Sequence, residues 1–319
     1  MGAFTWVGSL ATGYSACEEM SKELRYAAVE QFEIAQFCRR ESGFGRKKGD
    51  TIQITKIKNV ATPTSALLDE HTDIPVDTLS IGTVGIEAKE LGRAIEYTSL
   101  AQDFARFDIE VPVQRRLRDQ LAAVNDALAG TAFKTTYVCA VPTSTTAVTW
   151  DVDGTLNTIA TNNVNVVHCG AIRDYMKATL KMPYYEGGNY IGLGSTKLLR
   201  GIKNDPDFQA WRYWLKPGDV LFKSEVGTVE QIKWIEVTNT DVLSGTKGVG
   251  SVLGEGLVFG EDGVAIAEVD TPELRAAIPG GYGRWKGMAW YGVLGYGLIW
   301  NATSTAGEAR VVYISGTAA

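Results

Sequence analysis

The 319-residue chain carries 31 Lys and Arg against 37 Asp and Glu, a formal net charge of −6, with a pI near 5.2. That balance has the wrong sign for a protein whose main work is to grip nucleic acid, because phosphate binding draws on Lys and Arg. With 45% hydrophobic and 21% charged residues the composition is ordinary globular material, long enough for several layers of core or for one large domain with long excursions.

Residues 1–14 lack the basic leader and apolar core of a signal peptide. The first predicted element is a helix over 15–41, where Leu24, Ala27, Ala28, Phe32, Ala35 and Phe37 lie among Glu18, Glu19, Glu23, Glu30 and Glu33, and Gly43-Phe44-Gly45 ends it. A half-buried strand follows over 51–60: Ile52, Ile54 and, after a two-residue skip, Ile57 interrupt polar residues. A returning arm over 79–97 carries Ile81, Val84, Ile86, Leu91 and Ile95, broken by Gly82, Gly85 and Gly92, which permit bends or bulges. Together these make an extended hairpin-like loop with an arm of roughly 30 Å, at about 3.3 Å per residue. An isolated two-stranded ribbon is marginal in water, so this one needs a partner surface. Arg46, Lys47, Lys48, Lys56 and Lys58 sit near its base and stem, while Asp69, Glu70, Asp73 and Asp77 sit at its tip. Head-to-tail packing of copies would bring basic stem to acidic tip; the plain reading is that these charges keep an exposed hairpin soluble.

Thr98 or Ser99 can cap a short helix containing Leu100, Phe104 and Phe107. A long helix then starts near Ile109, with Pro112 tolerated in its first turn, and ends near Gly130. Val113, Leu117, Leu121, Val124 and Leu128 recur at spacings of four and three and form one apolar stripe, with Arg115, Arg116, Arg118, Asp119, Asn125 and Asp126 off it. At 1.5 Å per residue the rod is roughly 33 Å long.

The middle of the chain, 137–283, reads as a mixed domain. A helix is predicted over 163–180, a strand over 189–194, a helix over 197–203, a short helix opened by Asp205-Pro206 and running through Trp214, and one strand over 228–238 with apolar character on both faces. The glycine-rich stretch 245–256 lacks the third glycine of a dinucleotide fingerprint and the Gly-Lys-Ser/Thr ending of a phosphate loop, so it reads as a flexible loop. The apolar run 288–300, interrupted by Gly292, Gly295 and Gly297, is too short to span a bilayer and reads as a buried strand. Asn301-Ala302-Thr303 fits a glycosylation sequon by chance.

Catalytic motifs are lacking: there is no GxSxG elbow, no HExxH pair and only two histidines. Cys17, Cys38, Cys139 and Cys169 form no CxxC pair, so neither zinc nor a disulfide framework is indicated. His168 beside Cys169 reads as packing because adjacent side chains point in different directions, and His71 reads as solvated at the loop tip. No catalytic residue, cofactor or metal site is expected.

The order of elements resembles the major capsid proteins of tailed double-stranded DNA bacteriophages, which have the Hong Kong ninety-seven fold, and most closely the phage N-four-type coat family. The resemblance rests on Lys48-Gly49-Asp50-Thr51-Ile52 opening the loop and Leu67-Leu68-Asp69-Glu70 at its tip. It continues in Asp108-Ile109-Glu110-Val111 through Leu121-Ala122 entering the helix, and in Trp285-Lys286-Gly287-Met288-Ala289-Trp290 leading to Val293-Leu294. It implies an α+β capsid fold divided into an amino-terminal arm (1–45) lying across a neighbour, an extended loop (46–97), a peripheral domain with the spine helix (98–136 and 284–319) and an axial domain (137–283).

The implied function is a structural shell protein, not an enzyme, assembling as pentamers and hexamers around phage double-stranded DNA without sequence-specific binding. Lys47, Lys48, Lys56, Lys58, Asp69, Glu70 and Asp73 would be intersubunit contacts, and Val113, Leu117, Leu121, Val124 and Leu128 the spine-helix packing set. Separate scaffold, portal and decoration proteins are the expected partners, with assembly in the bacterial cytoplasm, no membrane and the virion capsid as final location. Only about 45 residues precede the loop, so a fused scaffold is not expected; nor is a covalent cross-link, since Lys56 and Lys58 have no assignable partner asparagine or catalytic glutamate. An encapsulin-like compartment shell and a soluble enzyme are the alternatives.

Overall fold

The computed structural model describes residues 33–42, 51–60, 63, 67–68, 70, 73–105, 108–208, 225–238, 243, 254–300 and 307–317. A 3-10 turn at Ala35–Phe37 leads into β1 (Arg39–Glu41). Then come β2 (Thr51–Ile57), β3 (Ile81–Glu87), β4 (Lys89–Thr98), α1 (Ser99–Phe104) and α2 (Glu110–Lys134). The middle supplies β5 (Cys139–Pro142), β6 (Val148–Asp151), α3 (Val166–Asp174) with a π turn at Tyr175–Thr179, β7 (Tyr190–Ser195) and α4 (Thr196–Asn204). The chain closes with β8 (Glu225–Val229), β9 (Ile232–Val237), β10 (Gly254–Phe259), β11 (Val264–Ala276), β12 (Trp285–Leu298) and β13 (Val311–Gly316).

A seven-stranded mixed sheet, ordered β6-β5-β13-β10-β7-β9-β8, forms the first layer. Its central strands are apolar on both faces because both faces are covered. Val258, Val312 and Ile314 pack with Ile172 of α3 and Leu198, Leu199 and Ile202 of α4. Their neighbours Leu257, Phe259, Val311 and Tyr313 point the other way, toward Ile34 and toward Ala129 and Phe133 of α2. The predicted single strand over 228–238 is two strands. Glu230 (φ 50) and Gln231 (φ 62) take the left-handed conformation and reverse the chain between β8 and β9, which pair antiparallel. Two apolar faces in the sequence marked two antiparallel strands rather than one, since a period of two continues across a two-residue turn.

A four-stranded sheet, ordered β1-β11-β12-β4, carries α2. The division expected at 283/284 does not follow the sheets. β11 and β12 form one long antiparallel hairpin with β-bulges at 268–273, whereas β13 pairs with β10 and β5 in the other sheet. The carboxy-terminal end of the predicted 15–41 helix is likewise replaced: Arg39–Glu41 run parallel to Ala265–Ala267. Residues 15–32 lie outside the described residues, as do Trp214, Phe107, Cys17, His71 and most of the glycine-rich stretch, whose Gly254–Gly256 end opens β10.

α2 runs to Lys134, past the expected stop at Gly130, because its last turn places Phe133 against Phe259 with ring centroids 4.8 Å apart. The apolar stripe also needs correction. Of the five predicted residues only Leu117 is fully buried, while Val113, Leu121, Val124 and Leu128 are half-buried. The fully buried residues of the second half include Asp126, Ala129, Gly130 and Phe133. At ~100° per residue these lie roughly opposite Leu117. The helix bridges two sheets, so its two ends need opposite apolar faces: beside Leu117, Gln120 accepts from Trp290 Nε1 of β12 at 3.2 Å, while Phe133 enters the core of the seven-stranded sheet.

Candidate assembly surfaces

β2 and β3 form the antiparallel ribbon expected of the extended loop, in continuous register from Thr51↔Glu87 to Ile57↔Ile81. The predicted two-residue skip does not occur, so Ile52 and Ile54 face inward and Ile57 faces solvent. The returning arm divides at Ala88: β3 completes the ribbon, while β4 joins the four-stranded sheet beside β12. The paired ribbon is therefore seven residues, roughly 23 Å at 3.3 Å per residue.

The stem docks on its own chain. Ile52, Ile54 and Val84 pack with Ile86, Ala265, Ala267 and Ile299. Gly295 permits this crossing, since a Cβ there would stand 2.0 Å from the Glu87 carbonyl oxygen. Two lysines expected at subunit contacts are engaged internally: Lys56 Nζ lies 5.5 Å from the Trp300 ring centre and Lys58 Nζ 3.4 Å from Glu308 Oε2. Burial lowers the Lys56 pKa from its ordinary value. Glu70 and Asp73 are exposed beyond the ribbon, while Lys47, Lys48 and Asp69 lie outside the described residues. Among the described residues, Lys58 pairs with Glu308 and Lys56 lies over Trp300 rather than against the acidic tip.

At and beyond the end of the stem, several described apolar side chains of the loop are exposed. Leu67 is 92% exposed and Val76 90%, and Leu68, Ile74, Leu79 and Ile81 are also exposed. A second such region lies where α1, the start of α2 and the β11–β12 turn meet, with Leu100, Phe104, Val111, Ile278, Tyr282 and Trp285 exposed. Polar contacts hold this platform together. Thr98 Oγ1 accepts from Ala101 N to cap α1; Tyr97 OH and Gln102 Nε2 donate to Glu110 Oε1, and Lys286 Nζ donates to Gln102 Oε1.

Two buried carboxylates off the expected stripe and motifs tie the subunit together. Asp126 Oδ1 accepts from the backbone N–H groups of Ile34 and Ala35, at 2.6 and 3.1 Å. Glu255 on β10 receives the Tyr313 hydroxyl on one oxygen, and its Oε2 lies 2.8 Å from Lys134 Nζ, close enough for an ion pair though not aligned as a hydrogen bond. Nothing in the local sequence marks either residue, because each partner is remote in the chain.

His168 is structural in a specific way. Its Nδ1 accepts from Asn165 N while Asn165 Oδ1 accepts from His168 N, a reciprocal cap on α3. Nε2 must then carry the proton, which it donates to the Ser144 carbonyl at 2.8 Å. Burial lowers the His168 pKa, in keeping with a neutral ring. Cys38, Cys139 and Cys169 are buried thiols outside any disulfide, and burial, reinforced by Asp126, pushes the Cys38 thiol up to about 12. A thiol so raised is a poor nucleophile. Among the described residues no group of three His, Cys, Asp or Glu side chains could hold a metal, and no helix is long and apolar enough to cross a membrane.

This α+β architecture is the Hong Kong ninety-seven fold of phage capsid chains. The chain is similar to the capsid of cyanophage Pam1 (15% identity, 97% of this chain and 99% of that chain, TM-score 0.67). It is equally similar to the acid-stable capsid of Helicobacter pylori bacteriophage KHP30 (11% identity, 99% of each chain, TM-score 0.68) and to the capsid of Ralstonia phage GP4 (14% identity, 99% and 98%, TM-score 0.66). No protein-family model and no curated protein sequence matches it.

Proposed function

We propose that the chain is a structural major capsid protein whose copies self-assemble, as pentamers and hexamers, into an icosahedral head shell around a phage double-stranded DNA genome. The observation that carries this reading is the likeness to capsid chains along nearly the whole length of both partners. The exposed loop supports it. Burying six side chains such as Leu67, Leu68, Ile74, Val76, Leu79 and Ile81 yields roughly 10 kcal/mol gross, at about 1.5–3 kcal/mol each, which can offset the ordering cost of association. The platform at Phe104, Tyr282 and Trp285 offers a second contact, each aromatic covering about 150–250 Å² when buried. Heterologous contacts of this kind close into rings when the rotation closes.

In this reading the unengaged acidic residues Glu70 and Asp73 meet a neighbour's basic stem, and the seven-stranded sheet with α3 and α4 serves as the axial domain and the four-stranded sheet with α2 as the peripheral one. Scaffold, portal and decoration proteins are separate chains, and assembly takes place in the bacterial cytoplasm. The motifs at 48–52, 67–70 and 285–290 support the N-four-type coat family as the branch. Electron microscopy of the purified protein tests the proposal: closed shells are expected, and a monodisperse monomer at high concentration overturns it. Shells recovered from cells filled with protein cargo rather than DNA would indicate an encapsulin-like compartment instead.

A further inference from the structure

Residues 33–41 cross the junction between the spine helix and both sheets. Ile34 is fully buried in the core shared with Phe133 and Leu257. Phe37 packs on Tyr185 and Phe259, with ring centroids 5.9 and 5.5 Å away. β1 is hydrogen-bonded along β11, and Arg39 Nη1 reaches Asp262 Oδ1 at 2.8 Å. The segment starts on Asp126, whose single oxygen takes two of its backbone N–H groups.

Glu33, the residue immediately before, is placed awkwardly. Its Oε2 is buried without a hydrogen-bond donor, and so is Oδ1 of Asn125, next to Asp126 on the helix. The Glu33 carboxylate thus has a buried oxygen without a donor at a junction whose two backbone N–H groups already serve Asp126. We propose that residues 33–41 are a strap with a built-in release charge: with Glu33 ionised, its carboxylate repels Asp126 and the strap is weakly held, and with Glu33 neutral the strap grips the spine helix.

The direction of the pH effect follows from the geometry. Burial first, and Asp126 second, raise the Glu33 pKa above its ordinary 4.5. Between the two values the folded strap binds more protons than the released one, so its grip is greatest below the ordinary value and is lost as pH rises through the raised one. The other groups facing this junction are Cys38 and Arg40 on the strap, Glu268 on β11 and Tyr296 on β12. Cys38 is raised to about 12 and burial raises Tyr296 as well, so neither titrates between pH 4 and 8. The inference stands on the subunit alone and does not require the capsid reading.

The experiment is hydrogen–deuterium exchange of the full-length protein, followed at the peptide holding the Ile34 and Ala35 amides and corrected for the intrinsic pH dependence of exchange. Wild type should open less often at pH 4.5 than at pH 7.5. Glu33→Gln should show the low-pH protection at both values, and Asp126→Ala, which removes the oxygen that accepts both N–H groups, should lose protection at both while peptides from β10 and β13 stay protected. Wild-type protection that does not change with pH, or a pH dependence that survives in Glu33→Gln, would overturn the proposal. The wild-type comparison alone suffices should the Asp126 variant fail to fold.

Discussion

Replacing Lys134 by Met tests how the spine helix is coupled to the seven-stranded sheet. Lys134 ends α2, and its ammonium is the cation beside Glu255, whose side chain is 1% exposed. Removing one partner of a buried pair costs about 3–5 kcal/mol, because the remaining charge is stranded away from water. Two features place this site near about 3 kcal/mol, the lower end of that range. The Lys134 side chain is 22% exposed, so solvent reaches the vacated space, and the Tyr313 hydroxyl still donates to Glu255. Methionine retains the aliphatic stem, which separates charge from packing. Against a typical domain stability of about 5–15 kcal/mol the loss is large. Urea unfolding of the isolated subunit should show a lower midpoint at unchanged slope. Adding Glu255→Gln to Lys134→Met should recover most of the loss, since a neutral amide no longer needs the cation. A single variant within about 0.5 kcal/mol of wild type, as for an ordinary surface change, would refute the argument, as would additive costs in the double variant.

Deleting residues 61–78 should leave the circular dichroism spectrum and thermal midpoint nearly unchanged while shells disappear from micrographs, because the ribbon's own packing ends at the stem; global unfolding would place the loop tip in the subunit core. Charge reversal of Glu70 and Asp73 to Lys should weaken assembly most at low salt, where screening is least, measured by light scattering. His168→Ala should cost about 1–2 kcal/mol through the lost cap. It should also remove a wild-type loss of stability on acidification: His168 is held below its ordinary pKa of 6.5, so its contribution is present above that value and falls as pH drops through the lowered one. Gln231→Gly should raise stability by about 1 kcal/mol, since glycine carries no penalty at a positive φ, read as a higher urea midpoint.

Much of the local structure was legible in the sequence because it is written in short-range terms. The polar ribbon, the long helix with Pro112 in its first turn, α3, α4, β7 and β12 each follow from periodicity, a cap or a breaker within a few residues of the element itself. Thr98 as the cap of α1 is of this kind. The order of these elements was enough to suggest the fold that the capsid structures share.

What only the tertiary structure decided depends on partners far along the chain. The turn at Glu230-Gln231 was hidden because a period of two continues through it, and the split at Ala88 because β3 and β4 are equally strand-like until β12 claims one of them. The spacing around Leu117 predicts one buried face because a single helix has one obvious apolar side, whereas α2 lies between two sheets and buries opposite sides at its two ends. Asp126 and Glu255 were invisible as structural residues, since a carboxylate belongs in water unless donors meet it, and the Asp126 donors lie more than ninety residues away. Burial is a property of the assembled neighbours, and local pattern can only state which residues would tolerate it.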